Sequence, residues 1–286
     1  MASIKVLRRR IRSIQGTAKI CRAMEMIATV KLKRTQNQAL AGRPYTEAIT
    51  QVIGDLAART QMDLSTPPLL QKREVGKITL VHIASDRGLC GGLNANLNRM
   101  VAKFILENKA RPVSVITVGR RGRAFARYTK LNIRAEFHGI SDAPTLRDTL
   151  PISRLIIDEY SHNETDQVFL AYPAFVSIMN QKPTLDPILP IEPAKTASLA
   201  TEYIYEPNAK TVLDELLPRF IEMRVYHAIL ELIASEQASR MVAMRNASDN
   251  ARSVIEGLTL TLNKVRQETI TKEICDISGG AEAFNK

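Results

Sequence analysis

Apolar and small side chains recur in alternating steps of three and four residues along the N-terminal part of the chain. The positions are Ile4, Leu7, Ile11, Ile14, Ala18, Cys21, Ala28 and Leu32, with Glu25 as a polar interruption. This spacing is typical of the seam by which one helix packs against another. Because Pro44 is the first residue that breaks helices, we expect a helix of at least about 40 residues that resumes after a kink to about Ala58.

The same spacing recurs over the C-terminal part of the chain. The positions are Leu213, Leu216, Phe220, Met223, His227, Leu230, Ala234, Gln237, Met241, Met244, Ser248, Ala251, Ile255, Leu258, Leu262, Val265 and Thr269. The SGG triplet at 278–280 predicts the end of this helix. A helix over 209–277 is on the order of 100 Å long, too long for a globule of this size. We therefore expect it to pair with the N-terminal helix in an antiparallel coiled coil.

Strand and helix patterns alternate between the two terminal helices. A buried strand is predicted at 77–84, further strands at 111–119, 132–139 and 166–175, two more near 183–191 and 201–207, and helices at 94–108, 120–129 and 145–162. Such alternation predicts a three-layer, Rossmann-like α/β domain with a mainly parallel sheet. The predicted division is an N-terminal coiled-coil helix at 1–58, a linker at 59–76, the α/β domain at 77–206 and a C-terminal coiled-coil helix at 207–286.

Composition narrows the class of protein further. Only 5% of the residues are aromatic and tryptophan is absent, which favours long helices. The sequence contains no apolar run long enough to cross a membrane, so we expect no direct membrane insertion. Cys21, Cys90 and Cys275 lie far apart, which argues against a disulfide framework or a zinc site and favours a reducing compartment.

Positive charge is concentrated at the N-terminus. The net charge is +11, and residues 1–34 hold ten basic side chains against one acid, Glu25. Such a block predicts an anionic partner, either nucleic acid, anionic lipid or an acidic protein surface. Because the apolar seam runs through the block, these residues are expected in a structural helix rather than a cleaved targeting peptide.

The segment SDRGLCGGLN, residues 85–94, lies where many α/β proteins bind a phosphate. A Walker A loop needs a lysine and a hydroxyl after its last glycine, but Leu93 and Asn94 stand there. A dinucleotide fingerprint needs G-x-G-x-x-G, whereas the glycines here are spaced G-x-x-G-G. The segment therefore favours a tight strand-to-helix turn, with no cofactor bound.

Catalytic and metal-binding patterns are incomplete. Cys90 stands near a predicted helix start, which would lower the pKa of its thiol, but no histidine is assignable as its base. The HNE at 162–164 lacks the P-C-x-x-C that a zinc deaminase requires. The acidic pairs at 158–159 and 214–215 are expected on exposed helix faces. We therefore expect no catalytic residue and no metal ligand, although two alternatives stay open, a basic coiled-coil nucleic-acid-binding protein and a nucleotide-binding α/β enzyme.

Three stretches of the chain together resemble one known family. They are RRRIRSIQGTAKICRAMEMIATVKLKRTQ near the start, SDRGLCGGLN in the middle, and SEQASRMVAMRNASDNARSVIEGLTLTLNKVRQETITKEICDISGGAEA at the end. In this order they resemble the gamma subunit of F-type ATP synthases, of the bacterial type without the regulatory cysteine insert. The resemblance covers nearly the whole chain.

That resemblance implies a non-catalytic rotor shaft. Its partners would be the alpha and beta subunits of the catalytic head, the epsilon subunit and the c-ring, without nucleic acid. Flow of protons or sodium ions would turn the ring, and the shaft would drive the beta subunits through ATP synthesis, or through hydrolysis in reverse. Because the chain begins at the mature family start, a peripheral position on the cytoplasmic face of a bacterial cell membrane is expected.

The resemblance also implies contacts between the first helix and the beta subunits. In the family, an acidic loop of each beta subunit pushes on the shaft. The positions near that contact are Arg8, Arg9, Arg12 and Met24. A cation in place of Met24 would add an interfacial attraction that must be broken at each step.

Further contacts implied by the resemblance lie in the last third of the chain. Arg266 and Gln267 match a polar catch with beta near the upper shaft. Arg240, Glu206 and Tyr203 match positions tied to coupling and rotor contact. All five are predictions from the family pattern alone.

Overall fold

The computed structural model describes residues 4–60, 67–191 and 209–284. The chain divides into two compact units. The helical unit consists of Met1–Ile27 and Met241–Lys286, and the α/β unit consists of Ala28–Arg240. The predicted functional division at 58, 77 and 206 stays a prediction.

Two long helices form the ends of the described chain. Helix α1 spans Ile4–Thr60 without a break at Pro44, and the last helix, α5, spans Ala209–Phe284 and contains 76 residues. The predicted end at 278–280 is wrong, because the helix continues through Gly279 and Gly280. A glycine costs only about 1 kcal/mol in a helix interior, so two glycines alone do not end a helix that is otherwise favourable.

The elements between these helices follow the predicted alternation. They are β1 at Ile78–Ile83, α2 at Leu93–Glu107, β2 at Val113–Val118, α3 at Arg120–Tyr128, β3 at Asn132–Phe137, α4 at Leu146–Ser161, β4 at Gln167–Phe175 and β5 at Gln181–Leu189. A 3-10 turn at Pro68–Leu70 precedes β1. The strand predicted at 201–207 lies outside the described residues.

One sheet of five strands organises the α/β unit, in the order β3-β2-β1-β4-β5. Strand β1 is parallel to both neighbours, with Leu80 opposite Val115 of β2 and Phe169 of β4. Strand β5 pairs antiparallel with β4 and forms an edge. The predicted Rossmann-like, mainly parallel sheet is therefore confirmed.

Two apolar clusters cover the two faces of this sheet. On one face, Val81 and Ile116 pack with Ile156 of α4, Ile229 of α5 and Ile53 of α1. On the other face, the buried partners come mainly from α2. Because α5 enters this core, all residues from 228 to 238 except the half-buried Glu231 are buried, so the seam positions are only part of the packed surface of the helix here.

Helices α1 and α5 run antiparallel within the α/β unit. A Cβ at Gly42 would lie 3.1 Å from the ring of His227, and Tyr45, further along α1, interacts with Arg219, earlier on α5. The predicted antiparallel arrangement of the terminal helices is therefore confirmed.

The helical unit is held by the predicted seam. Leu7 and Cys21 of α1 are buried, as are Met241 and Met244 of α5. The polar interruption Glu25 accepts a hydrogen bond from Arg245 Nε at 2.8 Å. The polar position in the seam therefore forms an ion pair between the two helices.

Candidate functional site: the glycine loop and the helix surfaces

The loop between β1 and α2 is a tight turn that its own side chains close. Leu89 and Gly91 both have positive φ, at 64° and 55°. The hydroxyl of Ser85 donates to the carbonyl of Arg87 at 2.8 Å, and the amide of Asn94 donates to Cys90 Sγ at 3.3 Å. The sequence-based interpretation of this segment as a strand-to-helix turn agrees with this geometry.

Helix α5 lies directly against the glycine loop. The hydroxyl of Ser239 donates to the carbonyl of Cys90 at 2.6 Å, and Arg240 Nη2 donates to the carbonyl of Gly88 at 3.1 Å. A Cβ at Gly91 would lie 3.4 Å from Ser239 Oγ. The surface that would cradle a phosphate is therefore covered by the chain itself.

A carboxylate of the protein caps the neighbouring helix, α3. Asp86 Oδ1 accepts a hydrogen bond from the Arg120 amide at 2.8 Å, and Oδ2 accepts one from the Gly139 amide at 2.9 Å. Amides at a helix N-terminus, together with the helix dipole, favour an anion at this position. Asp86 supplies that anion, so it competes with a bound phosphate.

A cavity of about 320 Å³ lies at the carboxyl ends of β1 and β2. Three carboxylates line it, from Asp86, Asp142 and Glu236. Asp142 pairs with Lys31 at 2.5 Å, and Glu236 pairs with Arg240 at 2.5 Å. Because every one of these carboxylates already has a partner in the protein, the cavity offers little to a cationic ligand.

Burial controls the chemistry of the groups around this cavity. The pKa of Glu236 is raised mainly by burial, and Arg240 partly offsets the shift. The predicted lowering of the Cys90 pKa is wrong, because burial, followed by the nearby Glu236 charge, raises it. A buried thiol that stays protonated is a poor nucleophile. Among the described residues, no cluster of three or more His, Cys, Asp or Glu could hold a metal ion.

One of the acidic pairs expected on exposed helix faces is not exposed. Glu159 is buried and accepts a hydrogen bond from Arg134 Nε at 2.9 Å. Its neighbour in the sheet, Thr79, donates to the same carboxylate at 3.4 Å. The expectation fails for Glu159 because α4 packs on the sheet along the face that carries this residue.

Three basic residues near the N-terminus point to solvent. Arg8, Arg9 and Arg12 are exposed on α1, and none of them forms an ion pair within the described chain. Arg8 and Arg12 are four residues apart, so they lie on the same face of the helix. This face of the helical unit therefore presents positive charge to a partner.

The other predicted contact residues have different surroundings. Met24 is half-buried on α1, whereas Arg266 and Gln267 are exposed on α5. Arg240, by contrast, is buried and fully engaged with Glu236 and Gly88. Glu206 and Tyr203 lie outside the described residues.

Sequence reasoning missed three residues that shape the glycine loop. Asp86 lies three residues after the end of β1 and caps a helix that begins 34 positions further along the chain, so it gave no local signal. Glu236 and Ser239 gave none either, because their roles depend on which part of α5 meets the loop. The chain positions 85–92 and 236–240 become neighbours only through the fold.

No described helix is both long and apolar enough to cross a membrane. In the α/β unit, the protein's own groups fill the positions where related folds bind ligands, and this unit shares α1 and α5 with a unit made of helices. These features define an α/β protein with two long terminal helices whose surfaces are available for contacts with partners.

Comparisons with known proteins identify the family. The family model described as ATP synthase matches residues 3–284. The ATP synthase gamma chain of Dehalococcoides mccartyi is 56% identical over 285 residues, which cover 99% of this chain and 100% of the relative. That of Herpetosiphon aurantiacus is 44% identical and covers 100% of both chains. The chain belongs to the ATP synthase gamma chain family.

A solved structure supports the fold. In the Euglena gracilis mitochondrial ATP synthase, one chain of an assembly of OSCP, F1 and the c-ring matches with a TM-score of 0.68. The match is 19% identical and covers 98% of this chain and 94% of that chain. The predicted family and fold class are thus confirmed, and membership of the gamma chain family makes the chain a non-catalytic subunit of its complex.

Proposed function

We propose that this chain is the central shaft of an F-type ATP synthase and transmits ion-driven rotation to the catalytic beta subunits. The observation that carries the proposal is the helical unit, in which two helices pack along an apolar seam and expose a basic face. Helix α5, which belongs partly to this unit and partly to the α/β unit, contains 76 residues and is about 110 Å long. A helix of that length suits a shaft that reaches between distant partners.

The partners follow from the family. The alpha and beta subunits would surround the helical unit, and the epsilon subunit and the c-ring would contact the α/β unit, which serves as the foot. Catalysis then belongs to the beta subunits. The complex would sit on the cytoplasmic face of a bacterial cell membrane, with this chain peripheral to it, and protons or sodium ions would drive it.

Reconstitution tests the shaft function directly. The purified chain is mixed with its own alpha and beta subunits, and ATPase activity is measured with and without it. We expect the chain to hydrolyse nothing by itself and to make the mixture assemble into an active ATPase. An inactive mixture, or saturable binding of DNA or nucleotide to the chain alone, would contradict the proposal.

The exposed residues of the helical unit are proposed as the contacts with beta. Arg8, Arg9 and Arg12 carry the positive charge that an acidic loop would meet, and Met24 lies further along the same helix. Met24→Lys is expected to lower the ions transported per ATP while hydrolysis continues, because a new ion pair must be broken at each step. Met24→Leu, which keeps the apolar character, is the control.

The remaining predicted contacts belong to the same proposal. Arg266 and Gln267 are exposed on α5 and are proposed as a polar catch with beta. Glu206 and Tyr203 are proposed as rotor contacts on the strength of the family pattern. Arg240 is also proposed as a coupling residue, although its burial means that it acts inside the chain rather than on a partner.

A further inference from the structure

The glycine loop holds α5 through two side chains on consecutive residues. Ser239 Oγ donates to the Cys90 carbonyl at 2.6 Å, and Arg240 Nη2 donates to the Gly88 carbonyl at 3.1 Å. The Cys90 carbonyl also accepts the Leu93 amide at the start of α2. The contact therefore joins α5 to the junction of β1 and α2.

A buried ion pair orients the arginine of this contact. Arg240 also donates to Glu236, one turn earlier on α5, and both residues are 7% exposed. A guanidinium held by a carboxylate has little freedom to leave the Gly88 carbonyl. Glu236 therefore positions Arg240 against the loop.

The loop itself is stiff where α5 touches it. The Ser85 hydroxyl and the Asn94 amide close it from within, and Asp86 ties its start to the amides of Arg120 and Gly139. The contact surface is thus fixed to β1 on one side and to the start of α3 on the other. A force applied to the α/β unit therefore reaches α5 with little deformation of the loop.

This contact is placed where the α/β unit ends along α5. Among the described hydrogen bonds, those from α5 to the strands and loops of the α/β unit end at Arg240, and the helical unit begins at Met241. Helix α5 is continuous through this point. Any torque that the α/β unit transmits to the rest of α5 must cross this part of the helix.

We propose that the glycine loop, residues 85–92, is a clamp that fixes α5 against rotation about its own axis, with Ser239 and Glu236 as positioning residues. Bonds from side chains at the helix surface resist such rotation because they act away from the axis. A loosened clamp would let α5 slip while the α/β unit turns. The inference rests on the proposed shaft function and assigns a mechanical role to the glycine loop.

The test uses the whole ATP synthase in inverted membrane vesicles, with variants in this chain. ATP hydrolysis and ATP-driven ion uptake are measured on the same vesicles, with a proton-sensitive dye and with radioactive sodium. Ser239→Ala removes the donor to Cys90, and Ser239→Thr keeps it. Alanine is the better helix former, so Ser239→Ala does not weaken α5 as a helix.

We expect Ser239→Ala to keep at least about half of the hydrolysis rate and to transport fewer ions per ATP, because the loss of a hydrogen bond worth about 1 kcal/mol raises the population of slipped chains about fivefold. Glu236→Gln should act in the same direction, and Ser239→Thr should restore coupling. The matched control is Arg127→Ala, which breaks an exposed bridge to Glu136 in the same unit, away from α5. The Arg127→Ala variant should leave the number of ions transported per ATP unchanged.

An unchanged number of ions transported per ATP in Ser239→Ala and Glu236→Gln would overturn the clamp. This holds whether hydrolysis is kept or falls in parallel with transport, since a parallel fall is what a merely structural role produces. A wild-type chain that supports no ATPase activity would instead overturn the shaft function, and the clamp with it.

Discussion

At the scale of single residues, glycines show where the fold leaves no room. Gly119 joins β2 to α3 with a φ of 91°, and a Cβ there would lie 2.0 Å from the Ala84 carbonyl oxygen. Gly139 has a similar φ of 79°, but a Cβ there would meet nothing within 4 Å. The two positions therefore separate backbone strain from steric overlap.

We expect Gly119→Ala to lower the free energy of unfolding by at least about 3 kcal/mol, because strain and overlap add. Gly139→Ala should cost about 1–2 kcal/mol, from strain alone. Urea unfolding of the purified chain, followed by circular dichroism, measures both values. Equal losses in the two variants would contradict the steric account.

His82 makes stability depend on pH. Its ring is fully buried, and burial lowers its pKa from 6.5 to about 4, partly offset by Asn98. The lowered value means that folding favours the neutral ring, so this stabilisation is complete above pH 6.5 and is lost as the pH falls toward 4. The difference between the two pKa values corresponds to about 3 kcal/mol in the free energy of unfolding.

The prediction for His82 is a changed acid profile. His82→Met should flatten the dependence of the unfolding midpoint on pH between about 6.5 and 4, because no proton then binds preferentially to the unfolded chain at this position. His138→Gln, at an exposed histidine, is the control and should keep the profile of the original chain. If the unfolding midpoint of His82→Met depends on pH as steeply as that of the original chain, groups other than His82 cause the dependence.

At the scale of elements, α5 has two ends with different surroundings. Residues 228–238, apart from the half-buried Glu231, are buried within the α/β unit, whereas residues 266–280 are exposed throughout. Ile270 and Ile277 are 47% and 72% exposed. The same helix therefore contributes to the core at one end and offers apolar side chains to a partner at the other.

Truncation of α5 tests this division. Deletion from Ile270 onward should change the thermal midpoint of the purified chain by less than about 2 °C, because exposed residues contribute little to stability. The same deletion should weaken coupling or assembly with alpha and beta. Deletion from Met241 is the contrast, since it removes the buried Met241 and Met244 and should lower helicity beyond the residues deleted. Unfolding of the α/β unit by the shorter deletion would contradict the proposal.

Element boundaries were predicted well where a local signal ends the element. Strand β1 and helix α3 lie within a residue or two of their predicted limits, because an apolar run defines β1 and Gly119 stands directly before α3. The end of α5 was predicted wrongly, because glycines end a helix only when the chain after them turns back and packs. The SGG triplet at 278–280 does not by itself indicate whether the chain after it turns back.

At the scale of the whole molecule, the α/β unit has the strand order of a nucleotide-binding fold and fills that fold's ligand positions with its own groups. Asp86 caps α3, and α5 covers the glycine loop. Partners would then be recognised by the helices and the outer surface. The molecule as a whole is expected to bind no nucleotide.

A thermal-shift measurement tests this expectation. A site with a Kd of about 10 μM would add about 2.7 kcal/mol at 1 mM ligand and raise the unfolding midpoint by several degrees. We expect magnesium ATP at about 1 mM to shift the midpoint of the purified chain by less than about 1 °C. A nucleotide-binding α/β enzyme under the same conditions is the positive control. A saturable shift of this chain would reopen the enzyme alternative.

The sequence by itself determined the elements, the strand alternation, the seams of α1 and α5 and the family. These features are periodic or contiguous, so residues near one another in the chain are enough to reveal them. Only the tertiary structure decided the state of Cys90, the burial of Glu159 and the contact of Ser239 and Arg240 with the glycine loop. Those properties depend on which distant segments meet, since burial and hydrogen-bond partners arise from packing between residues that the sequence holds as many as about 150 positions apart.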